Sequence, residues 1–479
     1  MEFLMDLFYK ILGFFWGDLV TIPLPGGGSL GLSLLVILLI PTGIFCTIIT
    51  RGLPIRLLPE MCRITVEKRT SSTENSASGL QTLIVSTATR VGMGNLAGVV
   101  AAVSVGGAGA VFWMWFSALL GAATSYVESV LAQLYKEKDP LYDGYRGGPA
   151  YYIHDFCTRK KRAAGKACRY SIIAVLFAIS GLICWCGISQ VISNSVAESF
   201  ENAFHINPLY TTIALVLVSA VIVLRKNATV KVLDIIVPIM AVAYFIITIF
   251  IIIKNASLLP GVFSDIFQQA FGIKAIAGGG LGAVIMNGVK RGLFSNEAGS
   301  GSAPCAAAAA DVDHPAKAGL LQALGVIIDT IIICSCTAFI MLLTPADLTE
   351  GLTGMDYLQT AMGYHLGGFG VVFIAVTLLM FCLSTFLGVL YYARSNVAYL
   401  FGDNWTSQTI YKVIALIMLF IGGLAAYYFV WDLSDLGIAL MTVFNLIVLI
   451  PMSKEATACL KDYEKNVMLP RKQAKKAGK

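Results

Sequence analysis

The stretch Thr89-Arg90-Val91-Gly92-Met93-Gly94-Asn95-Leu96-Ala97-Gly98 decides how this chain is read. It sits in an apolar run, Gly79 to Ala102, long enough to cross a bilayer, for which about 20 residues suffice. Near the middle of that run lie an arginine, two closely spaced glycines and an asparagine. Glycine costs a helix roughly 1 kcal/mol relative to alanine, so Gly92 and Gly94 favour local unwinding. Unwound backbone at membrane depth leaves amides and carbonyls unpaired, and these are tolerated only against protein, water or a ligand. A second broken run, Phe271 to Gly299, contains Gly278-Gly279-Gly280-Leu281-Gly282. A packing kink explains either break alone. Two breaks at matching places in two halves point to a solute site near the bilayer midplane.

Composition supports a membrane reading. The chain has 479 residues, 57% hydrophobic and only 13% charged, about half the charged fraction of a soluble protein. Apolar runs of spanning length recur from Ser29–Thr50 to Gly437–Pro451, and their count, including both broken runs, is eleven. The net charge of +6 does not imply nucleic acid, because Lys and Arg concentrate in alternate loops. The longest basic loop carries Lys136, Lys138, Arg146, Arg159, Lys160, Lys161, Arg162, Lys166 and Arg169, while the loop Pro345–His365 has none. By the positive-inside rule the basic side is cytoplasmic, the amino terminus outside and the basic tail inside. An odd number of spans requires the same opposite ends.

The expected architecture is therefore an all-α polytopic membrane protein of about eleven transmembrane helices. Residues 1–50 form an interfacial amphipathic helix and an extra first span. Residues 79–262 and 263–452 form two five-span repeats, and 453–479 a basic cytoplasmic tail. Five crossings separate the two broken spans, so the second starts on the opposite face and the repeats are inverted. The eleven cysteines lie mostly inside apolar runs and match no zinc pattern. No HExxH or P-loop is present, so an enzyme is not expected.

Several residues carry candidate chemistry. Freed carbonyls near Ala88 to Val91 suit a cation, and amides near Gly94 suit a carboxylate, because a helix amino terminus carries about +0.5 charge. The break thus fits a zwitterion together with a monovalent cation. Asn95 and Asn287 either contact the site or bond across helices. Ser384 and Thr385 either offer hydroxyls to a cation or bond the i−4 carbonyl. Arg90 costs about 2.5 kcal/mol or more to insert mid-span. It either pairs with Glu128 or Asp329 or snorkels to the cytoplasmic edge. Glu297, just past Lys290-Arg291, is expected in a gate or loop ion pair.

The run Gly288-Val289-Lys290-Arg291-Gly292-Leu293-Phe294-Ser295-Asn296-Glu297-Ala298-Gly299 resembles the alanine/glycine:cation symporters, or sodium:alanine symporters, of the amino acid–polyamine–cation superfamily. So do Arg90-Val91-Gly92-x-Gly94-Asn95, Phe112-Trp113-Met114-Trp115, Tyr145-Arg146-Gly147-Gly148-Pro149-x-Tyr151-Tyr152-Ile153 and Gly325-Val326-x-x-Asp329-Thr330. The resemblance implies the 5+5 inverted repeat of the bacterial leucine transporter, with two discontinuous helices. It implies alternating-access uptake of a small neutral amino acid, such as alanine or glycine, coupled to sodium and in some members to protons. No cofactor is implied beyond the coupling ion, and a monomer in the inner (plasma) membrane is expected. Carried onto this chain, sodium meets Ala88, Val91, Ser384 and Thr385. The substrate meets Gly92, Met93, Gly94 and Asn95, and backbone at Gly278, Gly279, Gly280 and Gly282. The family often has Thr where Met93 stands, Gln where Asn287 stands, and Gln where Ile192 precedes Ser193-Asn194-Ser195. Those departures favour a larger side chain, such as glutamine or methionine. The rivals are a channel or a non-transporting receptor built on the same fold.

Overall fold

A computed structural model describes residues 2–23, 29–67, 90–141, 144–166, 168–224, 233–272 and 280–476. The chain is mostly helical. The amino-terminal helix α1 (Glu2–Trp16) is followed by a hairpin of β1 (Val20–Pro23) and β2 (Ser29–Leu32), with Val20 opposite Leu32. Then come α2 (Leu34–Ile49), α3 (Leu53–Arg56), α4 (Leu58–Thr65), α5 (Gly94–Gly106) and α6 (Gly109–Leu134). A second hairpin, β3 (Glu137–Asp139) with β4 (Gly144–Arg146), leads into α7 (Pro149–Ala163). Next are α8 (Ile172–Phe204), α9 (Pro208–Val223), α10 (Leu233–Lys254), α11 (Leu259–Ala270), α12 (Leu281–Asn296), α13 (Ala303–Ala309) and α14 (Pro315–Leu342). The chain ends with α15 (Gly354–Leu366), α16 (Gly368–Phe401), α17 (Trp405–Gly422) and α18 (Tyr427–Tyr463), the last running on into Leu469–Lys476. The two hairpins correct the all-α expectation in detail: β2 takes the first residues of the Ser29–Thr50 run, and β3 and β4 lie in the loop after α6.

Among the described residues, six helices are long and apolar enough to cross a bilayer, or seven when a bent pair is counted as one. Three shorter apolar helices, Leu34–Ile49, Gly94–Gly106 and Pro208–Val223, join them. The outward faces identify the solvent. On α10, Ile239, Val242, Ile246, Phe250 and Ile253 are all exposed. Their three-to-four-residue spacing makes one helical stripe, and an apolar stripe turned outward is stable only against lipid. The bent pair, Pro238–Lys254 against Ala256–Ala270, turns by 74°. Within it α11 buries Val262, Ile266 and Ala270 and turns Phe263 and Phe267 outward.

Two helices organise the packing. α6 lies against α2, α12, α13 and α14, and α8 lies against α16, α17 and α18. Small residues permit the close approach. A Cβ on Gly288 would lie 2.5 Å from the Ala110 carbonyl oxygen, and one on Gly121 2.8 Å from the Ala298 Cβ. On the other side, Gly187 meets the Ser434 backbone and Gly437 the Cys184 backbone, each inside 3 Å of an added Cβ. All eleven cysteines are free thiols.

The Lys290-Arg291 pair does not mark the exit of a span. Both residues lie inside α12. Arg291 donates to both oxygens of buried Asp435 on α18, at 3.1 and 3.0 Å, and Lys290 lies 2.7 Å from it. The Arg291 guanidinium sits 4.2 Å from the Trp431 ring centre, and Trp16 of α1 donates to the Asp435 carbonyl. The cations stay buried because one fully enclosed carboxylate and an aromatic face receive them.

Candidate functional site

The first break is built by Val91 and Gly92, which leave helical geometry between Arg90 and Met93. The chain then re-enters through a π-helical turn, Gly94–Gly98, that opens α5. Such turns replace the regular i−4 bonding and often occur at functional sites. Asn95 caps the break: its Oδ1 accepts the Gly92 amide at 2.7 Å. The Met93 amide donates to Thr385 Oγ1 on α16 at 3.2 Å. A Cβ on Gly92 would fall 1.9 Å from that same oxygen, so glycine is required here by space. Thr385 and Ser384 both donate to the Phe381 carbonyl, at 2.9 and 3.3 Å. Bonding within the helix and contact with the break are thus combined at Thr385. Ala88 lies outside the described residues.

The second expected break falls largely outside the described residues. Gly278 and Gly279 lie outside the described residues. Gly280 precedes α12, and Gly282 lies inside it, where an added Cβ would meet the Gly31 backbone at 2.5 Å. Gly282 therefore serves close packing against the β1–β2 hairpin. α12 runs unbroken to Asn296, and the chain opens at Glu297–Ser302 before α13. Glu297, Gly299 and Gly301 adopt φ of 58°, 93° and 87°, the left-handed region that ends a helix. Residues 297–302 are buried. Asn287 bonds its own helix, donating to the Ala283 carbonyl at 2.8 Å, and packs on Gly106. Gly106 is the far end of α5, roughly 20 Å from the first break at 1.5 Å per residue. Ile192 is buried on α8, and no described polar contact involves it.

The two breaks meet at Ser295. A Cβ on Gly94 would lie 3.0 Å from the Ser295 Cα. A second π-helical turn, Ile327–Cys334 in α14, brings Asp329 to the same point. Asp329 accepts from Asn95 Nδ2 at 2.7 Å, Ser295 Oγ at 2.9 Å and Thr330 Oγ1 at 2.9 Å. One carboxylate thus joins the first break, the second broken span and α14. Thr337 donates to the Asn95 carbonyl, and Asn296 to Thr330.

Glu128 on α6 ties down the second break, accepting from the Gly299 amide at 3.2 Å and from Asn445 of α18 at 2.9 Å. Asn445 also donates to the Gly299 carbonyl and bonds the Tyr152 hydroxyl. This explains the Tyr145–Ile153 motif: Gly147 and Gly148 let the chain press on α13, where added Cβ atoms would meet Ala308 and Cys305 inside 3 Å.

Arg90 is 3% exposed and does not snorkel. Its guanidinium donates to the Gln322 carbonyl at 2.7 Å and to Ser125 at 3.2 Å. Gly325 makes the room, since a Cβ there would lie 2.5 Å from the guanidinium. The expected direct pair with Glu128 or Asp329 is replaced by these two bonds, while Arg90 stays close enough to Glu128, Glu297 and Asp329 to interact electrostatically. Its Nε and the Oε2 of Glu297 have no hydrogen-bond partner among the described residues. Glu297 bonds Tyr392 of α16. Sequence reasoning did not select Ser295, Thr330, Tyr392 or Asn445 for the site. Their signal was polarity inside an apolar run.

The buried charges do not balance. Among the described residues, Glu128, Glu297 and Asp329 are buried with Arg90 as the nearby cation, one basic group against three carboxyls. Among the described residues no three His, Cys, Asp or Glu side chains converge as a metal cluster, so the carboxyls are spread around the breaks. An enclosed excess of carboxyls is relieved by protons or by a cation. Carbonyls and hydroxyls of unwound backbone suit a hard one.

Comparison with known proteins bears on this geometry. The model of the sodium:alanine symporter family matches residues 27–477. A probable sodium/glutamine symporter, GlnT, of Bacillus subtilis is 41% identical, over 93% of this chain and 89% of its own. The amino-acid carrier protein AlsT of the same organism is 40% identical, over 94% and 93%. The sodium/alanine symporter AgcS of Methanococcus maripaludis is 35% identical, over 88% and 91%. A mutant of the Eremococcus coleocola manganese transporter shares the fold, with TM-score 0.51 and 12% identity over 83% of this chain and 82% of that one. Its cargo says nothing about this chain's. A membrane-embedded helical protein with two helices interrupted face to face, matching these carriers along nearly its whole length, is a transporter and not an enzyme, and the chain belongs to the sodium:alanine symporter family.

Proposed function

We propose that the protein imports a small neutral amino acid, such as alanine or glycine, together with sodium by alternating access. The observation carrying this reading is the enclosed excess of carboxyl groups around two helix breaks joined through Asp329. Sodium binds at the first break, on the carbonyls of Ala88 and Val91 and the hydroxyls of Ser384 and Thr385. The substrate docks between Gly92–Asn95 and the second break at Glu297–Ser302, its ammonium toward the carboxyls and its carboxylate toward Arg90. Each sodium entering gains about 2.3 kcal/mol per 100 mV, enough for roughly 45-fold accumulation. The chain crosses the inner membrane eleven times as a monomer, amino terminus outside, with inverted repeats over residues 79–262 and 263–452.

A second reading is a larger neutral substrate. The 41% identity to a probable glutamine symporter favours it, as does buried Met93 at the first break. Counterflow of labelled amino acids in proteoliposomes, with sodium, with a proton gradient alone or with neither, tests both. Saturable sodium-dependent exchange of alanine supports the first reading and of glutamine the second. Exchange indifferent to sodium defeats the coupling, and no exchange of any neutral amino acid defeats the transport reading itself.

A further inference from the structure

Two cavities outside the solute site flank the last turns of α16. One, of about 250 Å³, is polar: Arg146, Arg169, His154, Tyr151, Tyr170 and Tyr399 line it. The other, of about 740 Å³, is an apolar groove between α8 and α17, lined by Ile179, Ile183, Leu400, Ile410, Ile414 and Met418. Ala398, Tyr399 and Gly402 face the polar pocket, and Val397, Leu400 and Phe401 the groove. These are neighbouring faces of one helix end, since each residue advances about 100°. Tyr170 ties them together by donating to the Leu400 carbonyl at 3.2 Å.

The polar pocket offers donors. Arg146 is held by Asp403 at 2.6 Å and lies 3.7 Å from Glu137, which also lines the pocket, but its Nε is buried without a hydrogen-bond partner among the described residues. Arg169 is exposed, and its only described contact is the Tyr170 ring, 5.1 Å away. His154 is braced by Tyr399 at 3.0 Å. The flank is basic: Lys160, Lys161, Arg162 and Lys166 lie on the end of α7 and just beyond it, all exposed. From Arg169 an outward apolar stripe runs down α8 through Ile172, Leu176, Ile179 and Ile183, its last two members lining the groove.

We propose that the two cavities form one site for an anionic glycerophospholipid of the cytoplasmic leaflet, its phosphate on Arg169 and the Arg146 Nε–H and one acyl chain in the groove. The site rests on the membrane orientation proposed above. Charge complementarity selects an anionic headgroup: basic pockets at the cytoplasmic edge draw acidic lipids, at about 1 kcal/mol per Lys or Arg. The apolar groove distinguishes a lipid from a free phosphate, and its volume falls within the range of about 300–1,000 Å³ typical of ligand clefts.

The test is native mass spectrometry of the full chain in detergent, titrated with phosphatidylglycerol, phosphatidylcholine or inorganic phosphate. Phosphatidylglycerol should bind about fivefold or more tighter than phosphatidylcholine. Arg169→Gln should abolish that preference while leaving phosphatidylcholine binding intact, which also shows that the variant is folded. Ile414→Trp, which fills the groove, should weaken both lipids. Equal binding of the two lipids by the unaltered protein overturns the proposal. So does a preference that survives Arg169→Gln, or full displacement of phosphatidylglycerol by equimolar inorganic phosphate. Counterflow measured on the same variants reads the transport activity separately, so failure of the lipid site leaves that reading standing.

Discussion

Gly92→Ala tests whether the first break and α16 act as one unit. The new Cβ would lie 1.9 Å from Thr385 Oγ1 and 3.3 Å from the Thr385 Cβ. Thr385 cannot swing aside easily, because its branched side chain is stiff at χ1 and its hydroxyl is committed to Phe381. Overpacking of this kind costs about 1–3 kcal/mol. Moving the hydroxyl also strands the buried Met93 amide, another 1–3 kcal/mol or so. The expected loss is at least about 2 kcal/mol, a melting-temperature fall of roughly 4 °C, and sodium-dependent counterflow should fall at least about tenfold. The double variant Gly92→Ala, Thr385→Ala relieves the clash, since a Cβ–Cβ separation of 3.3 Å needs only a small shift. It should recover the part of the stability lost to overpacking, with a coupling energy of about 1–3 kcal/mol, while the Met93 amide stays without its acceptor. It should not recover sodium affinity, because the hydroxyl is gone. Wild-type melting and counterflow in Gly92→Ala, or simple additivity in the double variant, would refute the reasoning.

Asp329→Asn should leave the protein folded but weaken the sodium dependence of counterflow at least about tenfold, or about 1.4 kcal/mol; a sodium titration of counterflow checks it. Asp435→Ala strands Lys290 and Arg291 without their carboxylate, which costs about 3–5 kcal/mol, and should abolish a monodisperse peak in fluorescence-detected size exclusion. On α4, burial alone would raise the Glu60 carboxyl, but hydrogen bonds from Arg471, Arg63 and Tyr463 outweigh it and hold it at about 2. A depressed carboxyl contributes stability that is complete above its ordinary value near 4.5 and fades as pH falls towards about 2. Glu60→Gln should therefore lower the melting temperature at pH 7 by the equivalent of about 2 kcal/mol and flatten its decline between those pH values.

The helices were legible because apolar runs of spanning length have few other uses, and the first break because glycines and a charge interrupt one. The opening at Glu297–Ser302 was not legible. Glycine clusters signal both unwinding and close packing, and only tertiary contact separates them. Gly282 faces the Gly31 backbone, a hairpin that apolar periodicity does not reveal. The Arg90 partners were hidden for a related reason. Its carbonyl acceptor at Gln322 is main chain, and every residue type carries a carbonyl.

One residue nevertheless marked the second break, and its logic is energetic. Glu297 ends α12 at φ 58°, a position where glycine or asparagine is usual. A side chain there costs about 1–2 kcal/mol of backbone strain. Glycine stands two residues on, at Gly299, and again at Gly301, so the chain supplies glycine where space and φ demand it. A glutamate kept in the left-handed conformation between helix and break needs a compensating use for its carboxyl. That use is visible: the carboxyl is buried, bonded to Tyr392 and close to Arg90. Backbone strain at the break is thus held in place by a side chain that reaches toward Arg90. On the sodium-coupled function proposed above, a cation bound among the carboxyls would act on the strained turn itself, and through Gly299 and Asn445 on α18.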